Sequence, residues 1–154
     1  MAADTNARRL ADHRLLSESL GLLAPVAHDV VADFYHQLFV EYPQVRTMFP
    51  ANMEPQREKL LKAIIALVTH YDRPDQLTPA LTALGRNHIR YGAQLGHYAA
   101  VAGTLMSVLR RYAGDAWNAE YEGAWQRAYT WAAGTMMMAA VEAAEVDEAD
   151  RMAA

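Results

Sequence analysis

No cysteine occurs in this chain, which excludes disulfides, thiolate zinc sites, iron–sulfur clusters and cysteine nucleophiles together; a reducing compartment is compatible with that composition. Clustered basic charge is missing as well. Lys and Arg number 14 against 18 Asp and Glu, a net charge of −4, so no nucleic-acid partner is expected, because phosphate neutralisation needs grouped cations. The opening MAADTNARRLADHRLL carries charges where a signal peptide needs an apolar run. No stretch is long and uncharged enough to predict a membrane span, and Ala2 stands where a myristoylation signal needs glycine. These absences predict a soluble, cytoplasmic protein. Catalytic constellations are scarce too. There is no Gly-rich phosphate loop, no histidine pair at the i,i+3 or i,i+4 spacing of a helical zinc site, and no repeated Glu-x-x-His of a di-iron bundle.

No proline follows Pro79, and no run of alternating β-branched residues suggests a strand. The class is therefore all-α. At 154 residues the chain reads as one domain with a substantial core. The apolar spacing predicts a helix from about Arg9 to Leu23, one from Pro25 or Val26 to Glu41, and a short turn from Pro43 to Met48. Further helices are predicted from Pro55 to Tyr71, from Thr78-Pro79 through His88, and from Gly96 to Ala113. The last is predicted from Ala116 or Asn118 to Ala144, with an acidic end at 145–154 expected to be solvated and frayed. Thr78 followed by Pro79 reads as a helix start, an oxygen cap before a proline whose missing N–H costs nothing in the first turn.

Leu77, Leu81, Leu84 and His88 fall at steps of four, three and four, so an imidazole sits where the next leucine of a core face belongs. By periodicity alone it is either a structural histidine with a backbone partner or a ligand facing an apolar cavity. Tyr35 lies within the broad stripe Val30, Val31, Phe34, Leu38 and Phe39. It reads either as a core tyrosine with its hydroxyl at the edge or as a donor aimed into a pocket. Gln56 lies one turn before Leu60 on the face continued by Ile64 and Leu67; it is either solvent-facing or at the mouth of a cavity. Phe49 sits between irregular segments, capping a core edge or stacking on a flat cofactor. One inward histidine, two facing polar groups and a large apolar surround are what a pentacoordinate haem needs.

The segments DFYHQLF (33–39), Pro43 to Phe49, Gln56-Arg57-Glu58, Asn87-His88, Gly96-His97-Tyr98 and AWQRAY (124–129) resemble the globin domain of bacterial flavohaemoglobins and their single-domain relatives. The resemblance covers roughly residues 9 to 144. It implies the globin fold, a three-over-three sandwich of helices crossing at about 50° around one haem b (iron protoporphyrin IX). Residue by residue, it implies His88 as the proximal iron ligand, Phe49 as the aromatic against the haem edge, and Tyr35 as the distal tyrosine that hydrogen-bonds dioxygen. Gln56 matches the distal glutamine, provided the loop after Phe49 is a few residues shorter than in typical relatives. Leu60 matches the apolar residue limiting the ligand cavity, and Tyr98 the proximal tyrosine that helps orient a carboxylate against the histidine.

One position departs from that pattern. Counted from Trp125 and Tyr129, the glutamate that completes the proximal His–Tyr–Glu network in flavohaemoglobins is Ala140 here, and Glu142 lies about 200° round the helix from it. A carboxylate on the far ring nitrogen makes the ligand imidazole more electron-donating, so a weaker push is expected. The resemblance implies O2, NO and CO as ligands and nitric oxide dioxygenation to nitrate. An FAD/NAD reductase domain is absent, so a separate reductase is implied, and the chain is either a single-domain globin or a domain excised from something larger. The alternative is non-enzymatic O2 binding, storage or delivery, toward which Ala140 leans. Monomer and homodimer both stay open.

Overall fold

The computed structural model describes residues 2–154. Six α-helices account for most of them: α1 (Ala2–Leu23), α2 (Ala27–Glu41), α3 (Glu54–Thr69), α4 (Pro74–Arg90), α5 (Leu95–Ala113) and α6 (Ala119–Ala153). Short 3₁₀ turns at Ala24–Val26, Pro43–Met48 and Gly114–Ala116 connect them, and no strand occurs among the described residues. In the three-over-three arrangement α1, α3 and α4 lie over α2, α5 and α6. Across the layers α1 and α4 pack on α6 and α3 packs on α2; within the lower layer α5 packs on both α2 and α6.

Docking of α1 on α6 depends on polar groups set into an apolar stripe. Asp12, Leu16, Ser19 and Leu23 share one face of α1, and all four are buried. A buried carboxylate is tolerated only when its oxygens are satisfied. Both are: Arg127 Nε donates to Asp12 Oδ2 and Nη2 to Oδ1, each at 2.8 Å, the bidentate geometry that favours arginine. Two turns on, Ser19 Oγ accepts from Trp125 Nε1 at 2.8 Å and returns its own proton to Leu15 O. Trp125 is thereby sealed in the core with its one polar atom paired.

Several boundaries differ from those predicted, each for a local reason. Helix α4 starts at Pro74 rather than at Thr78-Pro79. Pro74 takes the first helical position, and Thr78 Oγ1, instead of capping forward, donates back to Pro74 O at 2.9 Å. Pro79 then lies inside the helix. Its missing N–H, in the second turn, forfeits a bond to the Asp75 carbonyl, a loss that the remaining turns outweigh. Helix α1 begins before Arg9, at Ala2, and α6 continues through the acidic end to Ala153, exposed but helical. The Ala2–Glu41 run also contains a window with mean hydropathy 1.3, long and apolar enough by composition for a membrane span, contrary to the sequence-based expectation. A 3₁₀ turn interrupts that run at Ala24–Val26. Leu16, Leu23, Val30, Phe34 and Leu38 within the run are buried in the core, although only 28% of the apolar window is buried.

Helix α4 comes closest to its neighbour at Gly85. A β-carbon built there would lie 2.3 Å from Met136 O and 2.8 Å from Met136 Cα, so the backbones of α4 and α6 touch at this point and only glycine fits. Leu77 and Leu81 pack beside it on Ala132 and Met136. Of the Met136–Met138 run, Met136 fills this contact while Met138 is exposed.

Candidate haem and gas-ligand site

The two ends of the site are built differently. On α4, His88 is partly buried, and its Nδ1 lies 2.6 Å from Leu84 O. A carbonyl can only accept, so Nδ1 carries the proton and Nε2 keeps its lone pair. The histidine thus has the backbone partner of the structural reading, and its Nε2 is left able to accept a hydrogen bond or ligate. Tyr98 lies beside it with ring centroids 6.2 Å apart and planes tilted by 33°. The start of α5, which carries Tyr98, is held in two ways. Gln94 N–H donates to His97 Nδ1 at 2.9 Å, closing the first turn, and Tyr129 Oη donates to the Tyr98 carbonyl. Ala140 is buried on α6 and has no side chain able to reach a tyrosine or imidazole.

At the other end, Tyr35 on α2 is buried among aromatic rings. Phe34 meets it edge-on at 5.1 Å, Phe49 edge-on at 5.6 Å, and Phe39 at 5.9 Å. These contacts fix the ring and aim the hydroxyl toward α3, where Gln56 Nε2 donates to Tyr35 Oη at 3.1 Å. The short link of residues 50–53 between Phe49 and α3 brings Gln56 within reach. Because the glutamine donates, the tyrosine's own proton has no acceptor among the described residues and is free for a third group. Burial pushes the Tyr35 phenol up from its ordinary value of 10.0, and the Gln56 hydrogen bond opposes this only partly, so the donor keeps its proton.

Between these ends, apolar side chains are incompletely covered by protein. On α3 the fully buried face is Leu61 and Val68, whereas Leu60, Ile64 and Leu67, which share the Gln56 face, are only partly buried. That reverses the expected order of burial on this helix. On α4, Leu84 is 36% exposed and Ile89 41% exposed, although Leu84 continues the Leu77–Leu81 face. Large apolar groups are thus left open on the helices that carry Gln56 and His88, surface that an apolar group could cover. The donor set is one neutral imidazole nitrogen, hydrocarbon walls and an uncommitted hydroxyl. That set fits a haem, which His88 would ligate and the apolar side chains would contact.

Burial also raises the phenols of Tyr98 and Tyr129. For all three tyrosines the folded value exceeds the unfolded one, so the native state holds more protons above pH about 10, and stability falls as pH rises from there. Alkaline unfolding monitored by far-UV circular dichroism should show constant stability just below that pH and a progressive loss above it. A flat profile through pH about 11 would contradict this account.

Similarity to known proteins points the same way. The family model described as Globin matches residues 32–136. An uncharacterised globin-like protein of Aquifex aeolicus is 30% identical over 124 residues, covering 80% of this chain and 88% of that protein. A flavohemoprotein of Chromobacterium violaceum is 28% identical over 111 residues, covering 70% of this chain but only 28% of the relative; the chain spans under a third of that protein's length. Among solved structures, the engineered carbene transferase RmaNOD from Rhodothermus marinus superposes with a TM-score of 0.80 at 26% identity, covering 88% of this chain and 95% of the other. A bacterial globin from Campylobacter jejuni gives 0.76 at 18%, covering 87% and 97%, and attests to the fold. A family whose members bind haem thus accounts for the lone imidazole, the polar pair and the open apolar walls alike, and this chain belongs to the globins.

Proposed function

We propose that this globin binds haem b through His88 and catalyses the dioxygenation of nitric oxide to nitrate. The reaction is NO + O2 + e⁻ → NO3⁻: both oxygen atoms join nitrogen and one electron is consumed, which a flavin-dependent NADH reductase would supply. When bound, haem would supply the redox-active iron for this chemistry, with His88 as the residue that would hold it. The observation that carries the reading is the Gln56–Tyr35 hydrogen bond at 3.1 Å. By donating to Tyr35 Oη, Gln56 would leave the phenolic proton free and already oriented to donate to negative charge developing on oxygen. Phe49 and Leu60 wall the distal space and exclude water, and Tyr98 packs against the ring of His88. The name of the Rhodothermus marinus neighbour, which describes it as a candidate nitric oxide dioxygenase, and the flavohemoprotein relatives support the same reading. Ala140 favours a second one, reversible O2 binding or delivery. Without a carboxylate near Tyr98 the proximal imidazole stays close to neutral, which disfavours oxygen activation.

Stopped-flow mixing of the oxygenated ferrous protein with NO separates the two. Stoichiometric nitrate, repeated when a flavin reductase and NADH are supplied, is expected. A single oxidation with no re-reduction would return the protein to the O2-binding reading. In the same instrument Tyr35→Phe should speed O2 dissociation about tenfold or more, since a hydrogen bond of about 1.5 kcal/mol is lost. An unchanged off-rate would remove Tyr35 from the distal side.

A further inference from the structure

A cavity lies beside Tyr35, between α2, the irregular segment before α3, and the first turn of α3. It has a volume of about 390 Å³ and is open to solvent; Tyr35 and Phe39 line it on one side, Asn52 and Met53 on another, and Arg57, His36 and Arg46 supply its basic groups. The two arginines differ in their commitments. Arg46 donates to the carbonyls of Phe49, Pro50 and Ala51 at 3.2, 3.0 and 3.2 Å and lies over the Phe39 ring, so it is occupied in fixing the wall. Arg57 has no hydrogen bond or ion pair from its side chain among the described residues, and its Nε is buried without a protein acceptor. Burying a guanidinium N–H with no acceptor is costly. Glu54, the one carboxylate lining the cavity, is exposed and forms no ion pair with Arg57. The Glu54 N–H is already taken by Asn52 Oδ1 at 3.2 Å, so the recognising group is the guanidinium rather than the helix end.

We propose that this cavity is a binding site for a small planar oxyanion, anchored by Arg57. The guanidinium fork matches two oxygens of a trigonal anion. Arg46 adds positive charge nearby, and the neighbouring Tyr35 sets the ligand directly beside the distal hydrogen-bonding pair. The choice of nitrate as the natural occupant rests on the dioxygenase reading: the anion formed on the distal side would leave by a polar port lined by Arg57 rather than through the apolar walls.

The test is titration of the ferrous carbon monoxide form with sodium nitrate, against sodium chloride at matched ionic strength, followed by ¹H–¹⁵N correlation spectra. This form is diamagnetic and its distal site is filled by CO. No turnover takes place, so the result stands whether or not NO is dioxygenated. A saturable shift of the Arg57 Nε–H signal and of the Ala51 and Asn52 amides is expected with nitrate and not with chloride. Arg57→Gln should weaken the amide response about tenfold or more. Lys59→Gln, the same charge change on an exposed side chain outside the cavity, should leave it intact. The absence of a saturable nitrate response in the unaltered protein would overturn the proposal. So would an equal response to chloride, or amide shifts that persist in Arg57→Gln.

Discussion

His88→Ala is expected to abolish stable haem retention, the largest effect of any single substitution in this protein. The geometry explains why no neighbour can take over. His97 is the next histidine along the chain, but its Nδ1 accepts from Gln94 N–H at 2.9 Å and closes the first turn of α5. His36 is exposed and lines the cavity beside Tyr35. His88 alone combines a proton fixed on Nδ1 by Leu84 O with a free Nε2 beside open apolar side chains. Without that bond haem is held by apolar contact only, and it should be lost on gel filtration. Added imidazole should restore a low-affinity complex with the visible spectrum of a histidine-ligated ferrous haem. A normal five-coordinate ferrous spectrum in the purified variant, without imidazole, would refute the ligand assignment.

Gly85→Ala should be the most damaging one-carbon change. The added β-carbon meets Met136 O at 2.3 Å, Cα at 2.8 Å and C at 2.9 Å, all backbone atoms of a helix that cannot rotate aside. Helix α4 has its extensive packing on α6 alone, so it must lift away from that surface rather than pivot against another. Overpacking of this kind costs about 1–3 kcal/mol, which lowers Tm by about 2–4 °C for each kcal/mol in a domain of this size. Because His88 is on the same helix, haem loss should also accelerate. Gly103→Ala is the matched comparison. That glycine lies within α5, and a β-carbon added to it would meet nothing within 4 Å, so alanine there should stabilise by about 0.5–1 kcal/mol. Equal melting temperatures and haem-loss rates for Gly85→Ala and the parent would mean that close contact at Gly85 does not position α4.

Part of this site was legible from spacing. Steps of four, three and four brought His88 onto the Leu77–Leu84 face, and Tyr35 was evident within the α2 stripe, because both follow from the 3.6-residue period of a helix. Other features were not. Asp12 and Ser19 look like surface residues until Arg127 and Trp125 arrive from a helix more than a hundred positions away. Thr78 and Pro79 carry a good helix-start pattern, but such a pattern states only what a side chain is able to do. Pro74 offered an earlier start, and the Thr78 hydroxyl turned back to it. On α3, periodicity ranked Leu60, Ile64 and Leu67 as the inner face, while the protein itself covers Leu61 and Val68 more completely. The pattern finds the apolar faces, but not which face another helix covers and which is left for a ligand.

The sequence by itself determined the all-α class, the approximate helices of the core and the placing of His88 on the Leu77–Leu84 face, since these depend on residue type and local repeat. Its motifs also carried the likeness to flavohaemoglobin globin domains. The tertiary structure decided how those pieces work together. It joined Gln56 to Tyr35 across twenty-one positions, set α4 on α6 through the one glycine that permits backbone contact, and left Arg57 in a cavity without a protein partner. Each of these depends on how helices cross and on which side chains meet at the crossing. A repeat along one helix holds no information about that.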